Sequence, residues 1–268
     1  RRVLFRSLFT LFLFYEALTL STYPLVVHGQ TNSDKVAGRV YLGILLGTSI
    51  SLFLLGILWT WTIAGTLDFQ LGGILKEKID PNIIGTLLAL FAFGIGKSAL
   101  MPVHRWLPAA MVAPAPVSAL LHAVAVVKAG VFSLVKILVY IFGIDLLAQS
   151  DGDNWLIYAA AFSMIAAAII ALRQDDLKRR LAYSTISQLA YIVLAAAVAH
   201  PVALIGAMFQ VIGHALGKII LFFAAGSIYT VSGLTKVSQL DGIGRRMPWT
   251  MAAFTIGAMC IVGLPGTI

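Results

Sequence analysis

The sequence predicts an all-α membrane protein of about eight transmembrane helices, two of them discontinuous. Three observations predict it. Hydrophobic residues make up 60% of the 268 and charged residues only 11%, with a mean hydropathy of +0.95. Apolar stretches of the roughly 20 residues needed to cross a bilayer recur along the whole chain. Ionisable residues nevertheless sit inside those stretches, where the hydrocarbon core penalises each buried Lys by on the order of 3 kcal/mol. Such residues persist where they line a water-filled cavity or meet a counter-charge, so they are functional candidates.

The spans follow in order. Leu8–Val27 carries Glu16 in an otherwise apolar run. Val40–Ile63 is uncharged. Ile83–Trp106 contains Lys97-Ser98 and then Pro102, with Pro108 closing it. Val117–Ile141 starts after Pro116 and holds His122, Lys128 and Lys136. Trp155–Leu172 is apolar, and Leu181–Val198 carries the polar run Tyr183-Ser184-Thr185 with Ser187-Gln188. Val202–Val231 holds His214 and Lys218, and Trp249–Ile268 contains Gly263-Leu264-Pro265-Gly266. A Pro inside a span frees backbone groups that lipid cannot satisfy, so both interrupted spans must line a cavity or neighbouring protein. Interrupted spans in corresponding positions of two halves are the signature of inverted-repeat transporters. The breaks fall five spans apart, which suggests a five-helix repeat, with residues 1–142 holding most of a first repeat and 143–268 most of a second.

The connections are expected at His28–Arg39, Asp68–Asn82, Ala109–Pro116, Asp145–Asn154, Arg173–Arg180, His200–Pro201 and Ser232–Pro248. Lys35, Arg39, Arg105, Arg173, Lys178, Arg179, Arg180, Lys236, Arg245 and Arg246 collect on one side, which the positive-inside rule makes cytoplasmic. The cluster Arg1–Arg6 falls on the other side, with no account beyond truncation; both ends are expected to be cut from a longer membrane protein. Trp59, Trp61, Trp106, Trp155 and Trp249 lie at span ends, where interfacial anchors sit. Gly43, Gly47 and Ala166–Ala168 read as packing surfaces.

Several function classes fall away. The net charge of +8 comes from short loops between spans rather than from a nucleic-acid-binding face. The single Cys260 leaves no disulfide, iron–sulfur, zinc or c-type haem framework. Spacing alone leaves a b-type haem between the histidines open, but nothing else suggests one, and no cofactor or metal is expected. Gly96-Lys97-Ser98 lacks the earlier glycine of a phosphate loop, because Phe91 stands there.

What remains is a line of ionisable groups at mid-span. Burial brings a lysine's titration toward neutrality, as a proton carrier requires, and Lys97 is read as that carrier. Glu16 is read as its counter-charge, against a static structural pair. His122 and Lys128, six residues apart, are separated by about 240° of rotation on one helix and are expected to touch different neighbours. His214 and Lys218 share a face at i and i+4, and a neutral His beside a Lys forms a plausible relay. Lys136 is expected to snorkel toward the interface. His104 and His200, near span ends, are read equally as relay or interfacial groups. The Ser/Thr run of the sixth span either holds ordered water or glues helices together.

Taken in order, these residues match a family. The stretches Gly96-Lys97-Ser98-Ala99-Leu100-Met101-Pro102-Val103-His104-Arg105-Trp106-Leu107-Pro108, Ala113-Pro114-Ala115-Pro116-Val117-Ser118-Ala119-Leu120-Leu121-His122, Val127-Lys128-Ala129-Gly130-Val131, Leu181-Ala182-Tyr183-Ser184-Thr185-Ile186-Ser187-Gln188, His214-Ala215-Leu216-Gly217-Lys218 and Gly242-Ile243-Gly244-Arg245-Arg246-Met247-Pro248 resemble the proton-conducting antiporter-like family. This comprises the large subunits of Mrp-type Na⁺/H⁺ antiporters and the antiporter-like subunits of complex I. The resemblance implies a fourteen-helix fold of two inverted repeats, of which this chain holds the fifth to the twelfth helix. It makes Glu16 the fifth-helix glutamate, Lys97 the seventh-helix lysine, Lys128 the eighth-helix link, and His214 with Lys218 the eleventh-helix relay. Ala109, Val112 and Ala115 depart from the usual residues, which should affect partner contacts more than conduction. The chain also ends before the family's twelfth-helix lysine or acid, so this stretch alone is not expected to transport.

The resemblance therefore implies a multi-pass subunit of the cell inner membrane, working with other subunits of a multisubunit complex. It would conduct protons along Glu16, Lys97, Lys128, His122, His214 and Lys218 in exchange for Na⁺. The segment Phe14–Pro24 looks closer to the D subunit of the Mrp type. The alternative is a proton-pumping subunit of NADH:quinone oxidoreductase or a membrane-bound hydrogenase, with catalysis in other subunits; a structural scaffold is the third reading.

Overall fold

The computed structural model describes residues 6–150 and 154–264. Eight long helices run through the described residues: α1 (Leu8–Val26), α2 (Asn32–Ala64), α3 (Pro81–Gly94), α4 (Ala115–Phe142), α5 (Asn154–Arg173), α6 (Leu177–Ala197), α7 (Pro201–Ser232) and α8 (Pro248–Val262). Each corresponds to one expected span. α1, α2, α4, α5 and α7 are long and apolar enough to cross a membrane. α3 and α8 are apolar but shorter, because each stops at a break. α6 has the length but opens on Lys178-Arg179-Arg180. Within the last expected break, Pro265 and Gly266 lie outside the described residues, as do Arg1 and Arg2.

Local chemistry sets the helix ends. α2 begins at Asn32, well before the expected Val40, because Thr31 and Asp34 form a reciprocal cap: the Asp34 amide donates to the Thr31 hydroxyl at 3.2 Å, and the Thr31 amide to the Asp34 carboxylate at 3.0 Å. Lys35 and Arg39 are therefore helical. α6 is capped by the Asp176 carboxylate, which accepts the Arg179 amide at 2.8 Å. α7 starts with Pro201, and His200 Nδ1 accepts the Val202 amide at 3.3 Å, which makes His200 a cap. π-helical turns interrupt α2 at Ser49–Phe53 and α4 at Leu120–Val124 and Leu138–Phe142.

The broken third span breaks earlier than expected. The chain leaves α3 at Ile95 (φ −83°, ψ 64°), makes a 3₁₀ turn over Gly96–Ser98, and passes through left-handed Ala99 (φ 55°). The Met101–Pro102 peptide is cis. The freed backbone groups find partners. Trp106 Nε1 donates to the Gly96 carbonyl at 2.9 Å, and the Met101 amide donates to Ser163 Oγ of α5 at 3.1 Å. Trp106 is accordingly fully buried, a core residue where an interfacial anchor was expected. Trp61 and Trp249 are exposed, and Trp155 stacks on Phe93.

Contacts between segments distant in sequence show which helix ends share a side. On one side the segment between α2 and α3 is tied down repeatedly. Leu8 N donates to Leu67 O, Phe69 N to Arg6 O, and Arg6 pairs with Asp68 at 3.2 Å. Ile74 N and Leu75 N both donate to the Ile141 carbonyl, at 2.9 and 3.0 Å. Lys76 pairs with Asp145 at 3.6 Å, and Gly73 meets Gly143 backbone to backbone. On the opposite, cation-rich side, Lys178 donates to the Ala113 carbonyl at 2.8 Å, and the Asp175 carboxylate accepts from Ser238 N and Oγ at 3.0 and 2.8 Å.

α4 is the central helix, packed against α1, α3, α6, α7 and the broken segment. In lipid, helix association depends on close packing rather than on hydrophobic drive. Small residues supply that closeness at Gly56 against Phe91, Gly94 against the Phe53 backbone, and Gly217 against Ile261. Gly43 and Gly47 do not: a Cβ at either would meet nothing within 4 Å, so both face outward.

Candidate functional site

The six ionisable residues singled out from the sequence fall into two groups at mid-bundle. In the first, Lys97 sits on the 3₁₀ turn that replaces α3, fully buried. Its position depends on Gly130 of α4: a Cβ there would lie 2.3 Å from Lys97 C and 2.5 Å from Ser98 N. Lys97 Nζ donates to the Tyr15 carbonyl and lies 3.3 Å from the centroid of the Tyr15 ring, while its backbone amide donates to the Tyr15 hydroxyl at 3.1 Å.

Glu16 is not in ion-pair contact with Lys97. It lies within electrostatic reach, but both carboxylate oxygens are buried without a hydrogen-bond partner. The Ser49 hydroxyl, on the π turn of α2, is beside the carboxylate yet donates to the Leu46 carbonyl at 3.1 Å. The direct pairing read from the sequence thus becomes an interaction at a distance, with Tyr15 in the contacting position. Tyr15 carried no signal beyond its adjacency to Glu16.

The second group lies where α4, α6 and α7 meet. Lys128 Nζ is 2.5 Å from His214 Nδ1. One turn along α7, Lys218 Nζ donates to Ser184 Oγ at 2.9 Å and to the Leu181 carbonyl at 3.0 Å, both on α6. His122 packs its ring 5.1 Å from Phe222 of α7, with both ring nitrogens buried and unpartnered. Lys128, His122 and their partners are all buried.

His122 and Lys128 therefore contact the same neighbour, α7, against the expectation from their 240° separation. The π turn Leu120–Val124 and the distorted Ala125 (φ −96°, ψ −77°) reset the helical register between them. The polar run on α6 divides its duties. Ser184 receives Lys218, Ser187 bonds the Met164 carbonyl of α5 at 2.9 Å, and Gln188 accepts from Gln210 of α7. Lys136 lies 4.2 Å from the Phe69 ring centroid, and His104 lies 6.3 Å from the Tyr183 ring. No hydrogen bond joins Lys97 to Lys128 among the described residues; the two groups are linked through the packing of α4 on the broken segment. Nor do the described residues contain a cluster of three or more His, Cys, Asp or Glu able to hold a metal ion.

The arrangement offers two clusters of buried ionisable groups, the second spanning α4 and α7 through the Lys128–His214 contact. Residues 6–268 match the family model described as the transmembrane region of NADH:quinone oxidoreductase and Mrp antiporter subunits. The chain is 36% identical to NADH-quinone oxidoreductase subunit N of Desulforudis audaxviator, over 98% of this chain and 52% of that protein. It is 34% identical to hydrogenase-4 component B of Escherichia coli, over 94% of this chain and 38% of that protein. It also superposes on a chain of the Mrp complex from Dietzia sp. DQ12-45-1b with a TM-score of 0.86 and 26% identity, covering 97% of this chain and 48% of that one. The chain spans about half or less of the length of these proteins. With its broken third span, its buried lysines and this match across nearly its whole length, the chain belongs to the NADH:quinone oxidoreductase/Mrp antiporter family of antiporter-like, multi-pass membrane subunits.

Proposed function

We propose that this chain carries the lateral proton line of a monovalent cation/proton antiporter subunit, with Na⁺ as the cation exchanged. The observation that carries this reading is the Lys128–His214 contact of 2.5 Å between α4 and α7. It joins helices on either side of residue 142, the expected boundary between two inverted repeats, so a proton on Lys128 has a direct acceptor in the second half. From His214 the face-sharing Lys218 follows, with His122 alongside. Upstream, Lys97 is the loading site, and Glu16 modulates its charge from a distance. Buried lysines are costly in a membrane, and where they occur they mark ion pathways. The cation-rich side would face the cytoplasm of a cell inner membrane, by the positive-inside rule. The likeness to a chain of an Mrp complex supports the antiporter reading, with Na⁺ taken from the sequence resemblance; the likeness to a quinone oxidoreductase subunit equally supports a second reading, the same line driven by a redox partner.

The test is recovery of a pH-gradient dye in everted vesicles containing the protein with its partner subunits. Na⁺-dependent recovery in wild type, lost in Lys97→Ala and Lys128→Ala with assembly intact, is the expected result. Lysine-dependent acidification on NADH, with no Na⁺ response, would move the protein to the redox-driven class. Full transport in both variants would end the proton-line reading.

A further inference from the structure

We propose that Tyr15 is the seat of the Lys97 ammonium, a positioning residue that holds the charge off Glu16 between transfers; this rests on the proton-line reading above. Tyr15 engages Lys97 three ways. Its carbonyl accepts from Nζ, its ring faces Nζ at 3.3 Å, and its hydroxyl accepts the Lys97 amide at 3.1 Å. Each contact answers a different need. The hydroxyl fixes the backbone of the broken turn, so the side chain starts from a defined point. The ring and carbonyl solvate an ammonium that lipid depth would otherwise leave without water.

The seat is uncharged, and this has a consequence for Glu16. A lysine satisfied by neutral groups does not discharge the neighbouring carboxylate, whose two oxygens stay unpartnered. Tyr15 and Glu16 are consecutive on α1 and therefore differ by about 100° around it. One amine cannot occupy both positions at once. The seat is also rigid: Tyr15 is 2% exposed, and the edge of Phe53 packs on its ring at 5.6 Å and 80°, with Phe91 behind Phe53 at 5.9 Å. Lys97 thus has a fixed neutral position and a nearby acidic one, and transport moves it between them.

The experiment replaces Tyr15 by Phe and then by phenylalanines carrying one, two and three ring fluorines, in the assembled complex, with dye recovery and complex yield measured for each. Fluorine withdraws charge from the ring face with little change in size. Turnover is expected to fall stepwise, by about tenfold across the series, as the cation–ring attraction is removed. Packing alone predicts a flat series, and a flat series overturns the assignment. Tyr15→Leu is expected to fall below the trifluoro variant; should it fail to assemble, the nearly isosteric series still decides. Lys97→Ala is run in parallel. If it transports normally, the proton line itself fails; if it is inactive while the series is flat, only the role of Tyr15 falls.

Discussion

Adding one methyl group at Gly130 should disable the site without touching an ionisable side chain. The Cβ of Gly130→Ala would stand 2.3 Å from Lys97 C, 2.5 Å from Ser98 N and 2.6 Å from Lys97 O. All three are backbone atoms, so no rotamer change relieves the overlap. Restoring even a 3.4 Å contact requires α4 and the broken turn to part by about 1.1 Å. Overpacking of this kind costs about 1–3 kcal/mol, or roughly 2–10 °C in the unfolding midpoint of a chain this size. The larger effect is on turnover, because a displacement of about 1 Å at a reacting group can cost on the order of 100-fold. The assay pairs dye recovery in vesicles with thermal unfolding of the purified complex. Gly206→Ala on α7 is the control: its Cβ meets nothing within 4 Å, so it should be neutral or stabilising by up to about 1 kcal/mol. Wild-type turnover in Gly130→Ala would refute the claim that this glycine places Lys97.

Other outcomes follow from single contacts. Lys128→Met should abolish transport and leave His214 Nδ1 unpaired at a cost of about 1–3 kcal/mol, read as a lower unfolding midpoint in an assembled complex; transport at wild-type rates would sever the proposed link between the halves. Trp106→Phe keeps most of the ring packing but removes one of the two hydrogen bonds to the Gly96 carbonyl, which retains the Ala99 amide at 3.0 Å, and should lower stability by about 0.5–1.5 kcal/mol, measured by thermal unfolding. Asp175 is held below the usual carboxylate range by the Ser238 amide and hydroxyl that donate to it. Its contribution is therefore present above the ordinary carboxylate range and lost as pH falls through the lowered value. Hydrogen exchange at the Ser238 amide, corrected for intrinsic rate, should speed up over that acidic window in wild type and show no such window in Asp175→Asn.

The spans were legible because lipid imposes a length and a composition on any crossing helix, and no tertiary context overrides that demand. The start of α2 was also written in the chain, as Thr31 and Asp34 three residues apart, a pairing obscured by the surrounding polar run His28–Arg39. The stopping point of α3 was not legible. Lys97 and Pro102 mark a break, but the helix ends earlier, where Gly94 and Gly96 closely approach Phe53 and Thr48 of α2, a proximity no local pattern encodes. The shared neighbour of His122 and Lys128 was hidden for a related reason: a π turn adds a residue to a helix without a residue type of its own. Lys97, Lys128, His214 and Lys218 stood out as charges in apolar sequence. Ser184 showed only as part of a polar run and Tyr15 not at all, since a tyrosine or serine in a membrane helix is ordinary until its partner is known.

The segment between α2 and α3 bears on where the protein can move. It is fastened at Arg6–Asp68 and at Leu8–Leu67, pinned in the middle by two amides on the one carbonyl of Ile141, and locked by Gly73 against Gly143 and by Lys76–Asp145. A strip held at so many points cannot swing as a flap. It binds the ends of α1, α2 and α4 into one rigid plate, so any hinge that serves ion access must lie deeper in the bundle or at the opposite face. A protease cutting after Lys76 or Lys78 should accordingly be slow, although both lysines belong to a connection outside the helices.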